Sequence, residues 1–409
     1  MEEWKEYKLG EVCTELSDGL HKAPKFKMGG DYIFVNAKNI VGGFIIDNDP
    51  SKKSTHEEYL KYSSPLNDTT ILYSIDGTIG NVALYRGEKC ILGKGACYMN
   101  PNPQVLDRMF LYYELQSPRF KSYIDKMSTG STIKHISLKT MRGYNFTFPS
   151  LGTQRQISSI LKSLDDKIEV NRRINDNLEQ QAQALFKSWF VDFEPFRDQP
   201  FVESELGMIP EGWRVIELEE ACTIKYGKGL GKRDLTQDGF PVFGGNGIIG
   251  FYTHFLYELP QILVSCRGAA SGKIIESLPK SYVTSNSLVL ELKDRSYYNY
   301  IKLLLLNNPL YDYATGSAQP QITIDNIKGI KIILPLKEVI NKVNYTLENI
   351  GSIQRNNNEE SRRLAELRDT LLPRLMSGEL SVDGLKGQFA VSPGQRPGSK
   401  EHVSNETAP

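Results

Sequence analysis

The sequence is poor in the features that mark secreted, membrane and metal-binding proteins. Its five cysteines form no CxxC pair and its five histidines are scattered along 409 residues, so zinc-ligand spacing is absent. No apolar run approaches the ~18 residues that a membrane helix requires. The polar N-terminus MEEWKEYKLG does not resemble a signal peptide. These absences predict a cytoplasmic protein with free thiols, no membrane segment and no metal site.

The sequence also lacks an excess of charge of either sign. Lys plus Arg and Asp plus Glu each total 49 residues, so the net charge is zero. A whole-protein field that attracts nucleic acid is therefore excluded. Any binding to DNA must use local basic patches.

A long polar helix is predicted at the centre of the chain, from Leu151 to Phe190. No proline or glycine interrupts residues 154–191. Seam residues alternate every three and four positions, which is typical of a helix packed lengthwise on a partner helix. The predicted seam consists of Ile157, Leu161, Leu164, Ile168, Asn171, Asn175, Leu178 and Leu185. Its two Asn residues predict a polar middle that fixes register at a cost in stability.

A second helix with the same pattern follows 186 residues later. Its predicted seam consists of Val343, Leu347, Ile350, Asn357, Leu364 and Leu371. The apolar ends and the polar middle both recur, so we expect the two helices to pack on each other.

The repeat extends well beyond the helices. The motif W-x4-L-x-E-x-C-T begins at Trp4 and again at Trp213, and I-L-x-S-x-x-G begins at Ile71 and again at Ile262. The offset between the copies falls from 209 to 191 to 186 along the chain, which indicates insertions in loops. Each copy therefore has a globular part followed by one long helix.

This organisation predicts an α+β chain in which two repeated mixed α/β domains are separated by two long antiparallel coiled-coil helices, with pseudo-twofold symmetry. The predicted segments are a first domain at 1–149, a central helix at 150–190, a linker at 191–211, a second domain at 212–335, a C-terminal helix at 336–380 and a disordered tail at 381–409. Such an object is suited to binding two short DNA sequences separated by a fixed gap, with the helices setting the gap.

Several motifs, in this order and spacing, resemble the specificity (S) subunits of type I restriction-modification systems. They are Asp18-Gly19-x-His21-x-x-Pro24, Leu72-x-Ser74-x-x-Gly77-Thr78-Ile79-Gly80, the segments 164–168 and 184–193, Gly207-x-Ile209-Pro210-x-Gly212-Trp213, and the segment 371–378. The resemblance covers about 380 residues. It implies two target-recognition domains that bind double-stranded DNA, and two spacer helices.

The same resemblance implies partners and cofactors. Two modification (methyltransferase) subunits and the restriction (translocase/nuclease) subunits are expected to join this chain. S-adenosylmethionine, ATP and magnesium are expected on those partners, and no cofactor or catalytic activity is expected on the chain itself.

Candidate DNA contacts in the first domain lie in loops. The segment 19–30 contains His21, Lys22, Lys25 and Lys27 and no acid, which favours phosphate contacts; an ordinary solvated loop is the alternative. Ser74, Gly77, Thr78 and Asn81 follow a strand and are small or polar enough to approach a duplex, unless they form a tight turn that the fold requires. Ser131 and Lys134 end the domain.

In the second domain the candidates include more cations and amides. They are Tyr226, Lys228, Lys232, Arg233, Asn246, Arg267, Ser271, Lys273, Gln319 and Gln321. Arg prefers guanine edges, so Arg267 and Arg233 are the best candidates for base contacts, with a surface salt bridge as the alternative for Arg267. Gln319 and Gln321 suit adenine, or satisfy a strand edge.

Two motifs suggest a different function. The segment Phe243–Gly247 fits the FxGxG pattern of S-adenosylmethionine-dependent DNA adenine methyltransferases, and Asn308-Pro309-Leu310-Tyr311 roughly fits NPPY. Against this alternative, the second proline of that motif is Leu310, and the repeat aligns Asn308-Pro309 with Ser117-Pro118, a helix stop. A further alternative, a coiled-coil scaffold, would not need basic loops at matching positions of both domains.

Overall fold

The computed structural model describes residues 4–128, 134–316 and 319–384. The chain divides into two compact units, unit 1 from Met1–Val170 with Glu360–Pro409 and unit 2 from Asn171–Glu359. The boundary falls inside both long helices, so each unit contains one half of each.

Unit 1 contains short strands and short helices followed by the first long helix. Its strands are β1 (Lys5–Lys8), β2 (Cys13–Asp18), β3 (Tyr32–Val35), β4 (Ile40–Val41), β5 (Phe44–Ile45), β6 (Lys53–Ser54), β7 (Ile71–Ser74), β8 (Val82–Leu84), β9 (Cys90–Leu92), β10 (Ala96–Pro101) and β11 (Asn145–Phe148). Its helices are α1 (His56–Tyr62), α2 (Arg108–Glu114), α3 (Pro118–Met127), α4 (Leu138–Arg142) and the first half of α5 (Leu151–Phe190).

Unit 2 has a closely similar composition of elements. Its strands are β12 (Phe201–Ser204), β13 (Gly207–Pro210), β14 (Arg214–Glu217), β15 (Cys222–Tyr226), β16 (Phe240–Gly244), β17 (Gly247–Tyr252), β18 (Ile262–Ser265), β19 (Ile274–Glu276), β20 (Tyr282–Val283), β21 (Ser287–Leu292) and β22 (Lys331–Leu334). Its helices are α6 (Leu218–Ala221), α7 (Tyr298–Asn307), α8 (Ile324–Ile327) and the first half of α9 (Lys337–Met376).

The four-stranded and three-stranded sheets of the two units have the same topology. Unit 1 has the antiparallel order β2-β10-β7-β8, and unit 2 has β15-β21-β18-β19. The central strands β7 and β18 are buried along their whole length, as their apolar sequences ILYS and ILVS require. Each unit also joins one parallel pair, β3 with β9 or β16 with β20, to a third strand. The internal repeat of the sequence is therefore a repeat of structure.

Within unit 1 the two long helices run antiparallel. Arg368 of α9 donates to Asp165 of α5 at 2.7 Å, and Lys167 lies 3.2 Å from Glu360. The buried seam residues Ile157 and Leu161 belong to one core with Leu372, Leu375 and Met376. Leu164, Ile168, Leu364 and Leu371 are half-buried.

Within unit 2 the helices are antiparallel too, and the polar middle lies here. Asn171 donates to the Asn357 carbonyl at 3.4 Å, and Asn357 donates to Asn175 Oδ1 at 2.8 Å. Val343, Leu347 and Ile350 are buried against the core that contains Ala182, Phe186 and Phe190. Leu178 and Leu185 are half-buried and pack against this same core.

The segment predicted as a linker, 191–211, is an ordered part of unit 2. Strands β12 and β13 form an antiparallel hairpin, Phe201 opposite Pro210 and Ser204 opposite Gly207. Phe196 and Ile209 are buried in the core with Trp213. Prolines and acids are typical of a linker, and the few aromatic residues that anchor this segment form no repeating pattern. The sequence therefore did not predict the hairpin.

Two other predicted boundaries need correction. The tail was expected to begin at Ser381, but Val382 is 6% exposed and packs in the core of unit 1; residues 385–409 lie outside the described residues. Pro118 does not only stop α2. It is also the first residue of α3, which Ser117 caps by accepting from the Phe120 amide.

Within the described part of the chain, no helix is both long enough and apolar enough to cross a membrane.

Candidate nucleic-acid interface

In unit 1, four chain segments lie side by side at one end of the central sheet, just beyond the ends of strands β2, β7 and β10. Leu20 forms a parallel bridge with Gly93, and the Ile75 amide donates to the Gly95 carbonyl at 3.0 Å. On the other side, the Ile136 amide donates to the Ile75 carbonyl at 2.9 Å and the Gly77 amide donates to the Lys134 carbonyl at 3.2 Å. We call this surface the loop edge of unit 1, formed by residues 19–22, 92–95, 75–77 and 134–136.

The loop edge of unit 2 has the same backbone connections. It is formed by residues 227–228, 283–286, 266–268 and 320–322. Lys228 bridges to Thr284, and the Cys266 amide donates to the Asn286 carbonyl at 3.0 Å. The Ile322 amide then donates to the Cys266 carbonyl at 3.1 Å. The sequence repeat therefore places corresponding loops at corresponding edges.

A glycine allows the first segment of each loop edge to pack flat on its neighbour. A Cβ on Gly19 would lie 2.1 Å from the Leu92 carbonyl oxygen, and a Cβ on Gly227 would lie 2.3 Å from that of Thr284. No side chain fits at such distances. The close packing at these two glycines keeps the basic residues that follow them, His21 and Lys22 in unit 1 and Lys228 in unit 2, on the loop edges.

The predicted cations of both units are on the surface. His21, Lys22, Lys25, Lys27, Lys134, Lys228, Lys232 and Arg233 are all exposed. The backbone beneath them is fixed: the Lys27 amide donates to the Lys53 carbonyl at 2.7 Å, and the Tyr282 hydroxyl donates to the Gly229 carbonyl at 3.1 Å. His21 lies 3.2 Å from Asp18, which partly offsets its charge when protonated.

Arg267 lies in the middle of the loop edge of unit 2. It forms an antiparallel bridge with Gln321, its side chain is exposed, and its guanidinium makes no ion pair with any residue that the structure describes. The salt-bridge alternative therefore has no partner among those residues. Burial raises the pKa of the adjacent Cys266 thiol, so that neighbour stays neutral.

Two predicted contact residues are buried, and the prediction is wrong for them. Ser74 is fully buried and accepts from the Asn81 amide at 2.8 Å, which closes the turn after β7. Ser271 is 3% exposed and donates to the Pro320 carbonyl at 2.7 Å. Ser74 thus closes a local turn, whereas Ser271 ties its loop to the segment that contains Pro320.

The remaining candidates differ in position. Gly77 and Gln321 are exposed on the loop edges, Thr78 and Gln319 are exposed directly beside them, and Tyr226 is 40% exposed at the end of β15. Lys273 donates to Asn246 Oδ1 at 2.6 Å, so these two side chains are hydrogen-bonded to each other. Ser131 lies outside the described residues.

Sequence reasoning missed three residues at the loop edge of unit 1. Asp76 bridges to His135 and lies 3.7 Å from the Lys94 ammonium. Asp76 precedes Arg267 by 191 residues, the offset of this part of the repeat. The repeat offset could have identified Asp76, but a basic patch, the usual sequence signal of a DNA contact, does not include an acid.

The structure gives the two methyltransferase-like motifs other roles. Residues 244–247 are the turn of the hairpin between β16 and β17, in which Gly244 pairs with Gly247. Asn308 donates to the Leu304 carbonyl at 3.0 Å and so ends α7. Among the described residues, no group of three or more His, Cys, Asp or Glu side chains could hold a metal ion.

Comparison with known proteins agrees with this geometry. The family model of the type I restriction modification DNA specificity domain matches residues 1–180 and 210–364, once for each repeat. The type I restriction enzyme MjaIX specificity subunit of Methanocaldococcus jannaschii is 25% identical over 412 residues, which cover 94% of this chain and 95% of that protein. The HindI specificity subunit of Haemophilus influenzae is 24% identical over 483 residues, covering 93% and 100%.

A solved structure has the same fold. The type I restriction-modification S subunit from M. genitalium superposes with a TM-score of 0.57 at 20% identity and covers 91% of this chain and 96% of that one. The family model matches both repeats, and each repeat contains a domain followed by a long helix. The family assignment therefore rests on most of the chain and not on short motifs alone. The chain belongs to the family of type I restriction-modification specificity subunits, the non-catalytic subunits that recognise DNA.

Proposed function

We propose that this chain recognises a bipartite DNA target, in which the loop edge of each unit contacts one half-site and a gap of fixed length separates the two. The observation that carries the proposal is the pair of loop edges. Their backbone hydrogen bonds correspond, whereas their side chains differ, with Asp76 and His135 in unit 1 where unit 2 has Arg267 and Gln321. One scaffold used twice with different side chains suits two different short sequences.

The two loop edges divide the work between phosphates and bases. The exposed lysines around them, Lys22, Lys25, Lys228 and Lys232, supply sequence-independent attraction to phosphates. Arg267 projects from a backbone fixed on both sides, and a guanidinium matches the O6 and N7 acceptors of guanine in the major groove. Affinity and specificity thus come from different residues.

The chain also brings subunits together. Specificity subunits of type I systems assemble with other subunits and DNA, and we propose two modification subunits and the restriction subunits as the partners here. S-adenosylmethionine, ATP and magnesium would bind to those partners, in the cytoplasm, and methyl transfer would occur on the modification subunits. This chain supplies the choice of sequence.

Exchange of one domain tests the proposal. Residues 1–149 would be replaced by the corresponding domain of another specificity subunit, and the methylated motif would be determined for the assembled complex. We expect one half of the motif to change while the other half stays as it was. Exchange of 212–335 is the matched control and should change the opposite half. A simultaneous change of both halves in either chimaera would contradict independent recognition.

A further inference from the structure

Asp76 occupies the place in unit 1 that Arg267 occupies in unit 2. Both lie two residues after the central buried strand, and both form an antiparallel bridge, to His135 and to Gln321 respectively. Ile75, which precedes Asp76, donates its amide to the Gly95 carbonyl and accepts from the Ile136 amide. Cys266, which precedes Arg267, makes the equivalent two bonds with Asn286 and Ile322. Because the backbone corresponds bond for bond, Asp76 presents its side chain at the same place on the loop edge.

The Asp76 carboxylate is available for a ligand. Its side chain is 29% exposed, and the nearest side-chain nitrogens of its basic neighbours, Lys94 Nζ and His135 Nδ1, lie 3.7 and 4.0 Å away. Both distances are longer than a hydrogen bond. Among the described residues no donor is within hydrogen-bond distance of this carboxylate. Its oxygens can therefore still accept from a bound molecule.

An acid on a DNA-facing surface needs a specific reason, because phosphates repel it. The surrounding Lys22, Lys94 and Lys134 keep the loop edge basic, so the repulsion is offset locally. A carboxylate only accepts, and the base edge that offers a donor without an adjacent acceptor of its own in the major groove is the N4 amino group of cytosine. Adenine also has an amino group, but its N7 acceptor lies beside it and would oppose the second carboxylate oxygen.

We infer that Asp76 is a specificity-determining residue of unit 1, which accepts a hydrogen bond from the amino group of a cytosine in the first half-site. The inference rests on the proposed function. It goes further by assigning one base contact to one residue, whereas the proposed function assigns only a half-site to each unit. Lys94 lies beside Asp76 as a neighbour that attracts phosphates. The two units then use opposite charges at one structural position to distinguish cytosine from guanine.

Substitution of Asp76 in the complex with the modification subunits tests this. Binding would be measured on duplexes in which each position of each half-site is changed to all four bases in turn. Asp76→Ala should lose about 5- to 150-fold in affinity for the cognate duplex, the range for a lost base contact. The loss should come with relaxed preference at one position only, a cytosine in the half-site of unit 1.

Asp76→Asn gives a sharper outcome. Asn keeps the size of the side chain but adds a donor, which suits the N6 and N7 groups of adenine. The preference at the same position should therefore move from cytosine to adenine. Asp68→Asn is the matched control, because Asp68 is an exposed acid just before β7, at the opposite end of the strand from Asp76. It should leave both affinity and preference unchanged.

Lys94→Ala is the reference for a residue that attracts phosphates without contacting a base. It should weaken binding to all duplexes to a similar extent and keep the preference at every position. If Asp76→Ala behaved like Lys94→Ala, with a uniform loss and an unchanged motif, the inference would be overturned while bipartite recognition by the wild-type chain stood. If the wild-type complex recognised no bipartite target, the proposed function would fail first and this inference with it.

Discussion

Replacing Arg119 by Leu should destabilise unit 1 strongly, because it leaves a buried carboxylate without its cation. Glu114 is fully buried at the end of α2, and Arg119 donates to both of its oxygens, from Nε at 2.8 Å and from Nη2 at 2.6 Å. The Tyr144 hydroxyl donates to the same carboxylate. Burial raises the pKa of Glu114 even with these donors in place.

The magnitude follows from the geometry of this pair. Removal of one partner of a buried ion pair costs about 3–5 kcal/mol. The Arg119 side chain is 34% exposed, so part of its interaction is already screened, and Tyr144 remains as a donor. We therefore expect a loss near the lower end, about 3 kcal/mol in the free energy of unfolding.

Unit 2 provides the control, because it carries an apolar version of the same site. The repeat offset of 191 aligns Glu114 with Leu305 and Arg119 with Leu310, and both leucines are 2% exposed. The triple variant Glu114→Leu, Arg119→Leu, Tyr144→Phe imitates that version. The buried Ser117 hydroxyl loses its long bond to Glu114 but still accepts from the Phe120 amide at 3.1 Å. It should lie within about 1–2 kcal/mol of the wild type, since an apolar replacement of a buried pair is often neutral.

The loss in Arg119→Leu should also depend on pH. With its cation removed, Glu114 has a folded-state pKa further above the unfolded value of about 4.3. The folded state then binds a proton that the unfolded state has released, so stability falls as pH rises above about 4.3 and up to the folded pKa. The difference between Arg119→Leu and the triple variant should therefore be larger at pH 8 than at pH 5.

Hydrogen exchange followed by mass spectrometry in increasing urea measures these effects for each unit separately. Peptides from β10 and α2 report unit 1, and peptides from β18 and β21 report unit 2, which should not change. A loss below about 1 kcal/mol in Arg119→Leu, or a triple variant as unstable as the single one, would contradict the cost expected of a buried carboxylate without its cation.

Three further predictions concern DNA. Lys22→Ala and Lys228→Ala should each weaken binding to all sequences and lower the slope of log affinity against log salt by about one unit, as a salt titration would show. Arg267→Ala should cost about 1–3 kcal/mol on the cognate duplex and relax one position; equal losses on random DNA would contradict a base contact. Deleting Ile174–Gln180 together with Glu360–Glu366 shortens each helix by about 10 Å, or about three base pairs. Selection from a library of varied gaps should then no longer recover the original gap.

Much of the fold followed from periodicity and repetition. The 186-residue offset between the seams predicted that the long helices pack together, and Asn171 indeed donates to Asn357, its own counterpart. Repeated short motifs predicted two similar domains because the same buried strands, ILYS and ILVS, need the same neighbours. The hairpin within 191–211 was missed, since a few aromatic anchors such as Phe196 do not form a pattern.

The interface was less accessible to sequence reasoning. Exposed basic residues in loops could be found by composition, but composition cannot distinguish a hydroxyl that closes a turn, such as Ser74, from one that faces solvent. Nor does it identify Asp76, whose importance comes from its correspondence with Arg267. Hydrogen bonds between distant segments decide such positions.

The most direct test of the central claim is the methylome of cells that carry this chain with its modification subunits, compared with cells that carry the modification subunits alone. We expect methylation at a motif of two different short half-sites separated by a fixed number of unspecified base pairs, and no methylation of that motif when this chain is omitted. A contiguous motif, a single half-site, or the same motif without this chain would contradict it.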